Sequence, residues 1–244
     1  MQNRHFPAAL ADAAGRGFSL FFPEVCPACL RRAAKFGSAC CNHCSTRLGE
    51  LPIPRCRGCG GAVDGPLELC GECLAGDERP WRLAVSAYGF SGYLRELVHR
   101  FKYRGATALT SMFANAMAAN WRRHAETVQV DAVVPMPMHP WKEFARGYNQ
   151  ACLLAERVAD ELDLPIGHDL RRRRWSRSQT QLDFAARRGN VRDLFEVSSR
   201  NRVEGVHILL VDDVLTTGAT LAAATRVLLA AGAASVGVLT LARG

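Results

Sequence analysis

The chain has 244 residues, 48% of them apolar and 22% charged, with a formal net charge of +8. That is the balance of a soluble globular protein with length for a core of ordinary size plus a smaller module, and no apolar run approaches the roughly 20 residues needed to cross a bilayer. The charge is uneven: residues 1–80 hold 9 Lys/Arg against 8 Asp/Glu, whereas residues 171–202 hold 10 against 3.

The N-terminal stretch MQNRHFPAALADAAGRGFSLFF is interrupted by Asp12, Gly15 and Arg16 and lacks a continuous signal-peptide core, so the expected location is the cytoplasm, without membrane insertion. Residues 26–73 then carry nine of the ten cysteines, eight of them in four CxxC knuckles: Cys26/Cys29, Cys41/Cys44, Cys56/Cys59 and Cys70/Cys73. A CxxC turn brings two thiolates to one ion, and two such turns complete a tetrahedral shell, so eight cysteines imply two Zn²⁺ in a double zinc ribbon. Four regularly spaced pairs exceed what a redox pair needs, and a reducing compartment argues against disulfides. Consecutive pairing is favoured over a crossed one that joins Cys26/Cys29 to Cys56/Cys59. Cys40 is left over, and it or His43 could replace a neighbouring ligand. Shells filled by thiolate leave no open position, which makes both zincs structural.

Asp77 to Pro80, DERP, reads as a linker, dividing a segment 1–80 with the ribbons from a domain 81–244. Leu83 to Phe90 reads as a strand, and Leu94, Leu97, Val98 and Phe101 repeat at helical spacing. Lys102, Tyr103, Arg104 and Gly105 read as a basic helix end favoured by the dipole, with lining of a ligand site as the alternative. Asp131 to Val134 is a short strand followed by PMPMHP and a loop, HPWKEFARGYNQ, in which Lys142 and Arg146 are cations placed where open α/β sheets contact ligands. The next helix buries Ala151, Leu154, Ala155, Val158 and Leu162, with Cys152 as a small buried side chain. From Leu170 the segment LRRRRWSRSQTQLDFAARRGN sets Trp175 and Phe184 among arginines, including Arg173, Arg174 and Arg177. Such interleaving suits single-stranded nucleic acid or a hood over pyrophosphate, although isolated aromatics are more often packing residues.

The stretch His207 to Leu221, HILLVDDVLTTGATL, carries the most chemistry. Ile208 to Val211 is an unbroken apolar run of a strand buried on both faces. Asp212 and Asp213 end that strand, and Thr216, Thr217, Gly218, Ala219 and Thr220 lead into an Ala/Leu-rich helix. The first amides of a helix lack intrahelical partners and can bind phosphate oxygens, and Gly218 permits close approach. Carboxylates accept hydrogen bonds from hydroxyls or hold a cation. Phosphate beside hydroxyls describes a phosphorylated sugar. A receiver domain also ends a strand in an acid pair, but near the start of its chain. Val236 to Leu241 gives the final strand of a parallel α/β sheet.

VDDVLTTGAT resembles the PRPP loop of type I phosphoribosyltransferases. With the four knuckles, PMPMHPWKEFARGYNQ and the arginine-rich segment, the chain from Phe22 onward is similar to the ComF family of competence proteins. The resemblance implies a type I phosphoribosyltransferase fold, a parallel sheet flanked by helices, with a small N-terminal double zinc ribbon. It implies PRPP bound with Mg²⁺: Asp212 and Asp213 on the ribose hydroxyls, also the residues that would carry catalysis, and Thr216, Thr217, Gly218, Ala219 and Thr220 on the 5′-phosphate. It implies a role with incoming single-stranded DNA and with uptake or recombination proteins. Lys142, Arg146, Arg173, Arg174 and Arg177 would serve the pyrophosphate or nucleic-acid side. The family's pyrophosphate-side loop often holds several arginines, whereas here Trp141, Glu143 and Phe144 stand between Lys142 and Arg146. The alternative is a metabolic phosphoribosyltransferase that joins a nucleobase to PRPP.

Overall fold

The computed structural model describes residues 25–31, 40–49, 51–63, 65, 67–76, 78–90, 92–173 and 194–244. The chain forms two compact units, Met1–Leu48 and Gly49–Gly244. In the first, two CxxC turns face one another. One is closed by Leu30 N donating to Cys26 O at 2.8 Å, and the other leads into a single helical turn, α1 (Asn42–Ser45).

The second unit begins with the other pair of knuckles. Cys56 N donates to Gly61 O at 2.7 Å, and α2 (Gly71–Ala75) follows Cys70. The change of composition at residues 77–80 is therefore not where compactness divides, because this cysteine pair shares a unit with the sheet. Ala84 N donates to Arg57 O at 2.8 Å, tying the knuckle to the first strand, β1 (Leu83–Gly89). Two helices, α3 (Gly92–Tyr103) and α4 (Leu109–His124), lead to β2 (Ala132–Pro135). Then come α5 (Pro140–Arg146), α6 (Gln150–Leu162), and the short strands β3 (Leu170–Arg172) and β4 (Phe195–Val197), which pair antiparallel. A 3₁₀ turn at Arg200–Arg202 precedes β5 (His207–Leu215), α7 (Ala219–Ala230) and β6 (Ser235–Arg243).

The main sheet is parallel throughout, in the order β1-β6-β5-β2. Its centre is the apolar run read from the sequence: Ile208, Leu209, Leu210 and Val211 are all buried. Side chains alternate between faces. Ile208, Leu210, Val236 and Val238 join Leu221, Ala224 and Leu228 of α7 in one apolar cluster. On α4, Trp121 sits over Gly237, whose missing Cβ would lie 2.6 Å from the indole, so only glycine admits the ring there. Burying such side chains contributes about 1.5–3 kcal/mol each. Among the described residues, no helix is long and apolar enough to cross a membrane.

Two local expectations are revised. The strand holding the acids does not end at them but runs on to Leu215. The segment after PMPM, read as a loop, contains α5, because Pro140 occupies the first helical turn, where a missing N–H costs nothing, and His139 caps it by accepting from Trp141 N at 3.2 Å.

Candidate functional site

Asp212 and Asp213 project from the C-terminal half of β5, and α7 starts four residues after Leu215. Gly218 is the N-cap of α7 at φ 78°, a left-handed conformation that favours glycine. Thr217 Oγ1 accepts from Ala219 N at 3.4 Å, and Ala222 N donates back to Gly218 O at 2.8 Å. Thr216, Thr217, Ala219 and Thr220 are exposed, so the hydroxyls and first amides of the helix face an open turn.

Asp213 is only 5% exposed and is held on one oxygen by two donors: Lys102 Nζ at 2.8 Å and Gln150 Nε2 at 2.8 Å. Gln150 in turn accepts from Arg146 Nη1, and the Arg146 guanidinium lies 4.9 Å over the Tyr103 ring. A continuous polar chain thus runs from Arg146 through Gln150 and Asp213 to Lys102. Asp212 Oδ1 accepts from Asp213 N at 2.8 Å. Its carboxyl is pushed up to about 7, first by burial and then by the Asp213 charge, against smaller opposing effects of that amide bond and of Lys102. One acid is therefore committed to a cation while the other changes charge near neutrality.

Lys102, Tyr103, Gly105, Lys142, Ala145 and Arg146 surround a cavity of about 300 Å³. Lys142 and Arg146, singled out in the sequence, thus meet around one space. Lys102, Tyr103 and Gly105, read first as a helix end and second as ligand-site residues, belong to the same site, which favours the second reading. The sequence could not decide between the two because the partner of Lys102 lies 111 residues away. Gln150 was quoted only as part of RGYNQ. Its neighbour Asn149 orients the start of α6, accepting from Ala151 N and donating to Met136 O, both at 3.0 Å. Arg173 lies elsewhere, beside β4, pairing with Glu196 at 3.2 Å. Arg174, Arg177, Trp175 and Phe184 fall outside the described residues. Trp141 and Phe144 on α5 are 75% and 84% exposed. A second cavity, of about 570 Å³, lies between the segment after β2 and the β3/β4 pair, lined among others by Pro137, Asn149, His168 and Arg172. Cys152, half-buried, opens onto it rather than sitting in the core.

Lys102→Met keeps the packing stem and removes the charge facing Asp213. Breaking a largely buried pair is expected to cost roughly 3–5 kcal/mol in urea unfolding at pH 7. Unchanged stability would show that Gln150 alone satisfies the carboxylate.

The cysteines gather as consecutive tetrads, Cys26/Cys29/Cys41/Cys44 and Cys56/Cys59/Cys70/Cys73, each with its sulfurs within 4.8 Å of one another. Cys29 and Cys41 sulfurs are 3.9 Å apart, Cys59 and Cys70 3.7 Å. Four thiolates at zinc's bond length around a tetrahedral ion stand roughly 3.8 Å apart, so both sets fit zinc. Cys41 N donates to Cys26 Sγ at 3.3 Å and Cys70 N to Cys56 Sγ at 3.2 Å, bonds that suit thiolate ligands. Cys40 belongs to neither tetrad, and its thiol is pushed up to about 11 by burial and by the neighbouring cysteines.

The phosphoribosyl transferase domain family matches residues 149–244. Competence protein F of Haemophilus influenzae is 28% identical over 228 residues, 91% of this chain and 98% of that protein. DNA utilization protein YhgH of Salmonella typhi is 29% identical, over 92% of this chain and 99% of its own length. Competence protein ComFC of Bacillus subtilis is 30% identical over 214 residues, 83% of each chain. With its paired cysteine tetrads, its parallel sheet and these relatives along most of its length, the chain belongs to the ComF family of competence proteins, which carry a type I phosphoribosyltransferase fold.

Proposed function

We propose that this protein binds PRPP with Mg²⁺ in the cytoplasm and acts on or near single-stranded DNA during its uptake, together with uptake or recombination proteins. The observation that carries this reading is the alignment of three chemistries along one edge of the sheet. The open turn Thr216 to Thr220 suits a 5′-phosphate, Asp212 and Asp213 suit ribose hydroxyls, and the cavity of Lys102, Lys142 and Arg146 suits a diphosphate. Mg²⁺, which takes a few carboxylate ligands and completes its shell with phosphate oxygens and water, would neutralise diphosphate charge. Asp212 is the acid left without a cation partner at hydrogen-bond distance among the described residues, and so suits that role or a hydroxyl. Residues 1–80 would then hold structural zinc while 81–244 bind the ligand.

The DNA half is supported by the names of the relatives, competence and DNA utilization proteins, and by exposed Trp141 and Phe144 beside Lys142 and Arg146. Bases stack on exposed rings while cations follow the backbone. Arg173, Arg174 and Arg177 would extend the same charge. Anisotropy of a labelled oligo(dT), with and without PRPP and Mg²⁺, tests it. Binding is expected at low salt, falling steeply as salt rises. No binding at low salt removes the DNA half. The cavity of about 570 Å³ supports a second reading, transfer of the ribosyl group to a base held there. Pyrophosphate release on adding a nucleobase is its signature.

A further inference from the structure

Arg79 and Trp81 lie in the short connection between the second cysteine tetrad and β1. Each touches the tetrad's knuckles on one side and the turn before α7 on the other. The buried Trp81 donates Nε1 to Gly58 O at 2.8 Å. Gly58 stands between ligands Cys56 and Cys59, and a Cβ there would meet Cys73 Sγ at 3.0 Å, so the knuckle backbone is pressed against another ligand of its own tetrad. The far edge of the same indole, Cη2, lies 3.1 Å from where a Cβ of Gly218 would stand.

Arg79 repeats the connection. Its guanidinium sits 5.5 Å from the Trp81 ring centroid, shares with Trp81 a cavity lined by Gly58 and Cys73, and donates Nη1 to Thr217 O at 2.7 Å. That last bond has a directional consequence. The carbonyl of Thr217 and the amide of Gly218 belong to one planar trans peptide unit and point in opposite directions. A donor that holds the carbonyl therefore aims the Gly218 N–H away from Arg79. It fixes the orientation of an amide in the turn that the sheet presents beside Asp212 and Asp213.

We propose that Arg79, braced on Trp81, is a positioning residue that couples the second cysteine tetrad to the turn Thr216–Thr220, so that a metal closing Cys56, Cys59, Cys70 and Cys73 sets the turn for phosphate. The inference rests on the reading of that turn as a phosphate site. With a metal bound, Cys56, Cys59, Cys70 and Cys73 would hold the Cys56/Cys59 knuckle against Cys73. That contact would fix Gly58, which holds Trp81, and Trp81 braces Arg79. Those two side chains fix the Thr217–Gly218 peptide. Coupling between two sites is reciprocal, so ligand on the turn must also stabilise metal in the tetrad.

The test uses the zinc-loaded full chain. PRPP with saturating Mg²⁺ and, separately, inorganic phosphate are titrated by calorimetry, and zinc release to a chromogenic chelator is followed with and without each. In the wild type, ligand is expected to slow the loss of one of the two zinc equivalents several-fold, a readout that needs no variant. Arg79→Ala is expected to weaken PRPP binding about tenfold, within the usual range of coupling, and to abolish the ligand's effect on zinc release. Added methylguanidine should restore most of both, which a merely unfolded variant would not allow. Arg79→Lys, whose compact ammonium cannot both lie over the Trp81 ring and reach Thr217 O, should recover less than methylguanidine does. A wild type that binds neither PRPP nor phosphate defeats the phosphate reading, and the coupling with it. A wild type that binds while its zinc release ignores the ligand, or an Arg79→Ala protein that binds as the wild type does, overturns the coupling alone.

Discussion

Asp212→Asn is expected to abolish the pH dependence of Mg²⁺·PRPP binding near neutrality and to weaken that binding at every pH. In the wild type the Asp212 carboxyl is pushed up to about 7 by burial and by Asp213 beside it. A hydroxyl or a cation is held best by the ionised acid, so each bound ligand must first expel a proton below that value. Affinity should therefore rise by up to about tenfold per pH unit as pH climbs toward 7 and level off above it. The amide cannot ionise, which removes the slope, and loss of a charged acceptor should cost 10- to 100-fold in affinity, corresponding to about 1.5–3 kcal/mol. Asn retains an oxygen to accept from Asp213 N, so the backbone stays in place.

Stability should move the other way. A carboxyl raised in the folded state from 3.8 to about 7 stabilises the fold fully below the lower value and loses that contribution as pH rises through the upper one. Asp212→Asn escapes the loss. Its melting temperature should match the wild type near pH 4 and exceed it by several degrees at pH 8, most of the gap opening between those two pKa values. Calorimetric titrations at pH 6, 7 and 8 with melting curves on the same samples check both halves. A wild-type affinity that is flat from pH 6 to 8 would show that Asp212 takes no part in binding.

What could be read from the chain and what could not follow from how local each signal is. Ile208 to Val211 announces a strand buried on both faces because four consecutive residues suffice to say so, and the knuckles announce tetrads because ligand spacing is local. For Lys102 the sequence preferred a helix cap to a ligand site, since what decides between them is Asp213, brought beside it by β5 and by the path of α3. The same holds for Gln150, whose amide lies between Arg146 and Asp213. Pro140 misled because proline breaks a helix interior yet suits its first turn, and only the position of the cap decides which applies. Residues 77–80 mark a change of composition, but the packing of cysteine sulfurs among sheet residues was not written in any window of sequence.

Cys59→Ser is expected to unfold much of Gly49–Gly244, whereas Cys29→Ser is not. Cys56, Cys59 and Cys73 are buried in the same apolar cluster as Trp81, Ala84, Leu210, Leu221 and Leu228, which is the core beneath α7. Arg57 O accepts from Ala84 N, Arg55 Nη1 donates to Ser86 O at 2.8 Å, and Arg243 at the end of β6 pairs with Glu72, between ligands Cys70 and Cys73, at 3.1 Å. The tetrad is thus tied to both β1 and β6. Binding a structural zinc to four thiolates is worth about 10–16 kcal/mol at neutral pH. A whole domain keeps only about 5–15 kcal/mol of stability, so a metal site built into its core can decide whether it folds. Cys59→Ser leaves three thiolates and should lower zinc content by one equivalent, move the main calorimetric transition down by more than ten degrees or abolish it, and remove PRPP binding with it. Cys29→Ser should lose an equivalent as well, but its tetrad lies wholly in Met1–Leu48, so the main transition and PRPP binding are expected to persist. A strong chelator provides the arm without mutation. Staged removal should release one zinc with the main transition kept and collapse that transition with the second. A Cys59→Ser protein that melts as the wild type does would show that the second tetrad adds nothing to the core that encloses it.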